Sequence, residues 1–149
     1  MKKLLKVLVA VMVVVVAFSI FTACKGEAGE FKVVVIRGSS EKEYVLDNTG
    51  NDMTYLVDAL EYLSNDSDAQ FSYAMSGTFL SSVDGYVANS NNNEFWAIYT
   101  DLELDGIEYF DNSWGTADYD NDSFGSATKG VTELPLNDGC TYIIKLSTW

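Results

Sequence analysis

The chain has 149 residues, with 22 Asp and Glu against 9 Lys and Arg, no His, one Pro and two Cys. That length suits one domain; the absence of His excludes Ser-His-Asp and Cys-His catalysis, and a net charge of −13 argues against nucleic acid, whose binding relies on Lys and Arg to release counterions. Apolar residues make up 48% of the chain, enough for a core, which leaves an acidic, aromatic-rich binding domain or a His-free enzyme.

Residues 1–23 read as a targeting segment. Lys2, Lys3 and Lys6 form a positive start, residues 7–18 are an unbroken apolar run, and Phe21-Thr22-Ala23-Cys24 closes it with small residues before a cysteine. This end resembles a bacterial lipobox, with Phe21 in place of the usual Leu. The resemblance implies cleavage after Ala23 and diacylation of Cys24; the alternative is an uncleaved N-terminal anchor helix. Either way the remainder is extracytoplasmic and held at the bacterial membrane, by N-terminal lipid in the first case. With Cys24 so used, Cys140 is expected to lack an intrachain partner and to sit buried as a small hydrophobe, leaving no disulfide in the fold.

Residues 24–30 form a Gly- and Glu-containing linker, and 31–149 form the domain. The run Phe31-Lys32-Val33-Val34-Val35-Ile36-Arg37, bounded by Gly38-Ser39-Ser40, predicts a mostly buried strand with Glu43-Tyr44-Val45-Leu46 as its hairpin partner. After a polar turn through Gly50, Thr54 can cap a helix whose Leu56, Val57, Leu60 and Leu63 recur at helical spacing.

Everything after the helix reads as strand. Phe71, Tyr73 and Met75 alternate with small residues, and Gly77 leads into a run that ends at the turn dipeptide Asp84-Gly85. Phe95-Trp96-Ala97-Ile98-Tyr99 is apolar on both faces, as a central strand should be, and Asp138-Gly139 turns into the closing strand Tyr142-Ile143-Ile144-Lys145-Leu146. Between them, residues 103–129 are expected to be a long functional or mobile loop rich in Asp, Gly and aromatics. Two strands, one helix and further strands is the order of an α+β domain of the β-grasp (ubiquitin-like) kind, with one helix packed on the sheet and an inserted loop or hairpin.

Four segments, TYLVDAL at 54–60, GTFLSSVDG at 77–85, FWAIYTD at 95–101 and GVTELPLNDG at 130–139, come in an ordered series. The series resembles the transcobalamin-like C-terminal domain family, found in bacterial surface lipoproteins and as the last domain of transcobalamin and intrinsic factor. The resemblance implies a β-grasp fold that binds a soluble small molecule, a corrinoid such as cobalamin, as ligand rather than as resident cofactor, with no catalytic residues and no enzyme activity. It also implies that the segments at 77–82 and 103–106 face the ligand, which singles out Gly77, Phe79, Leu80 and Leu104. The family's carriers add a helical barrel domain that this chain lacks, so it offers half of such a pocket, and residues 107–128 are an insertion. The partners expected are therefore the ligand, the lipid anchor and a transporter or second surface protein. The alternative is a structural or adhesive surface module binding protein or glycan.

Within the insertion, Trp114 and Tyr119 are flanked by Gly and Asp, and aromatics so placed can stack on a planar ligand at a pocket rim. The alternative is that the insertion's aromatics fold it onto the sheet as a satellite core. Asp118, Asp120 and Asp122 alternate as in calcium loops, but Ser123 stands where Gly is required and Lys129 where a bidentate acid is required. A solvated acidic turn is the stronger reading, and no metal site is assigned.

Overall fold

The computed structural model describes Cys24 and residues 29–149. The expected targeting segment 1–23 lies outside the described residues, as does most of the linker, 25–28. The β-branched run forms β1 (Glu30–Arg37), which turns through Gly38 into antiparallel β2 (Ser40–Asp47). Helix α1 (Leu56–Asn65) follows; then come β3 (Tyr73–Ser76), β4 (Phe79–Val83), β5 (Tyr86–Val87), β6 (Glu94–Thr100), β7 (Glu103–Leu104) and β8 (Ile107–Glu108). The chain closes with β9 (Phe110–Tyr119), β10 (Asp122–Ala127) and β11 (Thr141–Thr148). The result is an α+β fold on a mixed six-stranded sheet of order β2-β1-β11-β6-β10-β9. A three-stranded sheet, β3-β4-β5, and the β7–β8 hairpin flank it. β11 runs parallel to β1, pairing Val34 with Ile143, and antiparallel to β6, pairing Ile144 with Ile98.

Alternation within the central strands divides the core between two faces. Val33, Val35, Tyr142 and Ile144 meet Leu56, Ala59, Leu60 and Leu63 of the helix in one apolar cluster. Val34, Ile36 and Ile143 point the other way and pack with Ala97, Tyr99, Ala117 and Phe124. The helix begins one residue later than its sequence cap suggests. Asp58 does the capping, its carboxylate accepting the backbone N–H groups of Thr54 and Tyr55, both at 2.8 Å. Two further N–H groups of the first turn donate outside the helix, Leu56 to the Leu134 carbonyl and Val57 to the Val131 carbonyl, both at 2.9 Å.

The insertion is not a free loop. It forms the β9–β10 hairpin, which pairs with β6 at Gly125 and Ser126 and closes on a turn with positive φ at Asp120 and Asn121. The register slips between Gly125 and Ser126, so that residues 112–115 bulge out of β9. Gly125 is required there, because a Cβ would lie 2.7 Å from the Phe110 ring and 2.5 Å from the Asn112 side chain. The far half of the hairpin folds over the sheet face opposite the helix. Ala117 and Phe124 seal that face, and the Tyr119 hydroxyl reaches the Glu43 carboxylate on β2 at the opposite edge of the sheet order.

Cys140, expected to lack an intrachain partner, has one: a disulfide joins it to Cys24 across a sequence separation of 116. Cys140 is positioned by its neighbours. The Tyr142 hydroxyl, wholly buried, accepts from the Asn137 N–H and donates to the Pro135 carbonyl, each at 2.9 Å, and thereby fixes the turn before β11. Tyr142→Phe leaves both backbone groups without that partner and is expected to cost about 1–3 kcal/mol, read from urea unfolding midpoints. An unchanged midpoint would mean that the turn is held by other contacts.

Candidate functional site

Folding the β9–β10 hairpin over the sheet leaves a cavity of about 570 Å³ beneath its tip, in the size range of small-molecule sites. Its floor comes from the start of β1 and β11, through Phe31, Lys32 and Thr141, and its roof from Tyr119 and Phe124. Carboxylates are placed around it by three separate elements: Glu30 on β1, Asp101 just after β6, and Asp120 and Asp122 at the hairpin turn. Cys140, one half of the disulfide, lines it as well. Such an acidic, partly aromatic wall suits a ligand that is cationic or rich in hydrogen-bond donors.

The roof is clamped by one polar group. Glu43 accepts from Tyr119 and forms an ion pair with Lys32 at 3.1 Å. Donation by Tyr119, helped by Lys32 and opposed by partial burial, holds the Glu43 carboxyl below its ordinary value. Burial and the Glu43 charge push the Tyr119 hydroxyl up, so it remains a donor through the neutral range. A carboxyl with a lowered folded-state pKa contributes its stability above the ordinary carboxylate range and loses it as pH falls through the lowered value. Tyr119→Phe is therefore expected to lower the unfolding midpoint at neutral pH and to make a smaller difference well below the ordinary carboxylate range. An equal loss at both pH values would mean that the ring, not the hydroxyl pair, supplies the effect.

No family model and no curated protein matches the chain. Among solved structures it is similar to a candidate metal-binding protein from Ruminococcus gnavus, with a TM-score of 0.51 and 19% identity over 83% of this chain and 99% of that one. The two chains share a fold. At this identity the likeness concerns the α+β architecture, and its coverage runs through nearly all of the other chain.

The residues singled out in the sequence fall in three places. Gly77, at φ +63°, turns β3 into β4, and Phe79 beside it is 77% exposed. Leu80 is buried and Leu104 half-buried, and both pack on the helix-side cluster, so they support this end of the fold more than they present a surface. Near Leu104, Thr128 N–H donates to the Tyr109 carbonyl and Tyr109 N–H donates to the Leu102 carbonyl. Tyr119 lies on the opposite face of the sheet, as roof of the cavity, and does not share a wall with Leu80 and Leu104. Trp114 projects from the β9 bulge, 66% exposed. The acidic run 118–122 spans the hairpin turn at Asp120 and Asn121, and two of its acids reach the cavity. Sequence reasoning passed over Glu30, Glu43 and Asp101; a pairing between β2 and a hairpin 76 residues away leaves no local signal.

Cys24 is 7% exposed and its sulfur is bonded to Cys140. A sulfur so bonded cannot carry the thioether that lipidation requires. Among the described residues no helix is long and apolar enough to cross a membrane.

Proposed function

We propose that this chain is an extracytoplasmic ligand-binding domain of β-grasp order, related to the transcobalamin-like C-terminal domains. The observation that carries the reading is the cavity of about 570 Å³ under the β9–β10 hairpin, walled by aromatics and by acids from three elements. A disulfide belongs to oxidising, extracytoplasmic compartments, which fits the basic and apolar start of the sequence. Passing a captured molecule to a transporter or a second surface protein is the role this reading assigns. The family resemblance narrows the ligand to a corrinoid, and the exposed Phe79 at the β3–β4 turn favours a flat ligand at that end as a second position. The Ruminococcus gnavus protein's description adds metal cations to the ligands worth testing.

The test is a thermal-shift panel on the full chain with cobalamin, small organic cations and divalent metal ions. A ligand at a hundredfold its Kd stabilises the folded state by about 2.7 kcal/mol, a readily measured rise in melting temperature. Loss of that rise in Asp120→Asn, with Phe79→Ala unaffected, places the ligand in the cavity; the reverse places it at the β3–β4 end. No shift with any class removes the reading.

Attachment through Cys24 and the disulfide are alternative fates of one sulfur. Intact-mass spectrometry of protein recovered from membranes separates them, since diacylglycerol adds mass to Cys24 whereas the disulfide removes two hydrogens.

A further inference from the structure

The two cysteines cluster with a carboxylate at the wall of the cavity, which Asp101 and Cys140 both line. One ligand atom each from Cys24, Asp101 and Cys140 lies within 4.8 Å of the other two. Three donors at thiolate and carboxylate bond lengths of about 2.0–2.3 Å from one ion stand roughly 3.5–4 Å apart, so reduction must let the two bonded sulfurs separate to that spacing, while the carboxylate already lies within 4.8 Å of both. We propose that, when the disulfide is reduced, Cys24, Cys140 and Asp101 bind one thiophilic divalent cation of the zinc type, which makes the site redox-gated.

Neighbouring groups are arranged as outer partners of such a site would be. The Asn137 side-chain amide points a donor at the Cys140 sulfur, 3.8 Å away, and the Thr141 N–H donates to an Asp101 carboxylate oxygen at 3.1 Å. Both contacts orient a donor atom and favour its charged form. Cys140 is wholly buried and its backbone is fixed on both sides: its N–H donates to the Asn137 carbonyl at 3.3 Å and its carbonyl accepts from Lys32 N–H at 3.0 Å. Entry is provided by the cavity, which Asp101 and Cys140 both line.

The chemistry balances with a dithiol reductant. The reductant supplies two electrons and two protons, the Cys24–Cys140 bond breaks to two thiols, and the reductant becomes a disulfide. The cation then displaces the two thiol protons to solvent as it binds the thiolates. The oxidised chain offers only the carboxylate and does not hold the ion. An acylated Cys24 cannot be a ligand, so the site belongs to chains whose Cys24 sulfur is free. The proposal goes beyond the ligand-binding reading and fails separately from it, because that reading is tested on the oxidised chain.

The experiment uses the full chain, made in a cell-free system so that its N-terminus is unprocessed, kept in mild detergent and titrated anaerobically with Co²⁺. The reduced chain is expected to bind one cobalt with a thiolate-to-metal absorption band, displaced by zinc, while the oxidised chain shows no band. Cys140→Ser should abolish the band, and Asp101→Asn should weaken binding at least about tenfold, the scale of losing even an outer-shell partner. Near-UV circular dichroism of the reduced chain checks that the fold is retained. Equal cobalt binding in both redox states, an undiminished band in Cys140→Ser, or a reduced chain without tertiary structure each overturns the proposal.

Discussion

Cys140→Ser is expected to destabilise the oxidised domain by about 2–5 kcal/mol, the range for loss of a native disulfide from a small secreted domain. The bond ties the start of the described chain to the turn before β11, with 116 residues of sequence separation between the two sulfurs. In the chain-entropy account a loop of that length restricts the unfolded chain strongly, and the effect grows only slowly with further length. The substitution also places a hydroxyl where a wholly buried sulfur stood, with the Asn137 amide as neighbour. Urea unfolding with and without reductant checks the point. Wild type under reducing conditions should approach the variant, and the variant should ignore the reductant. If the wild-type midpoint does not move on reduction, the bond contributes nothing to stability.

The helix-side half of the fold was legible because its signals are local. Leu56, Leu60 and Leu63 repeat at helical spacing, the 31–37 run is β-branched, and Gly38 and Asp84-Gly85 mark turns that the structure contains. The insertion was legible only as a loop or hairpin, because its residues alternate poorly. Phe124 and Gly125 are both buried in β10, whereas residues 112–115 of β9 are all exposed. The helix-opposite face was equally hidden, since β1 buries Val33, Val34, Val35 and Ile36 alike and its sequence cannot say what covers each side. Cys24 was assigned to lipid on its surroundings in sequence, and the sulfur that meets it lies far along the chain, where spacing carries no information. The cavity was out of reach for the same reason: its acids come from residues 30, 101, 120 and 122, which only the folded hairpin brings together.

Phe124 provides the second large expected effect and decides what the insertion is. Its ring is 5% exposed and packs in the cluster with Val34, Ile36, Ala97, Tyr99, Ala117 and Ile143. Truncation to alanine removes that apolar area and leaves a void that β10 cannot easily close, because the strand is held between β9 and β6. Phe124→Ala should therefore cost about 3–5 kcal/mol, the range for Phe→Ala in a packed core. Trp114→Ala is the control from the same hairpin: a side chain 66% exposed on the bulge should change stability by no more than about 0.5 kcal/mol. The contrast separates a hairpin that seals the sheet from an appended loop, for which both substitutions would be mild. Because Phe124 also roofs the cavity, a ligand bound there should raise the melting temperature of the variant less than that of the wild type. Equal ligand shifts, together with a stability loss below about 1 kcal/mol, would detach both the hairpin and the cavity from the folded core.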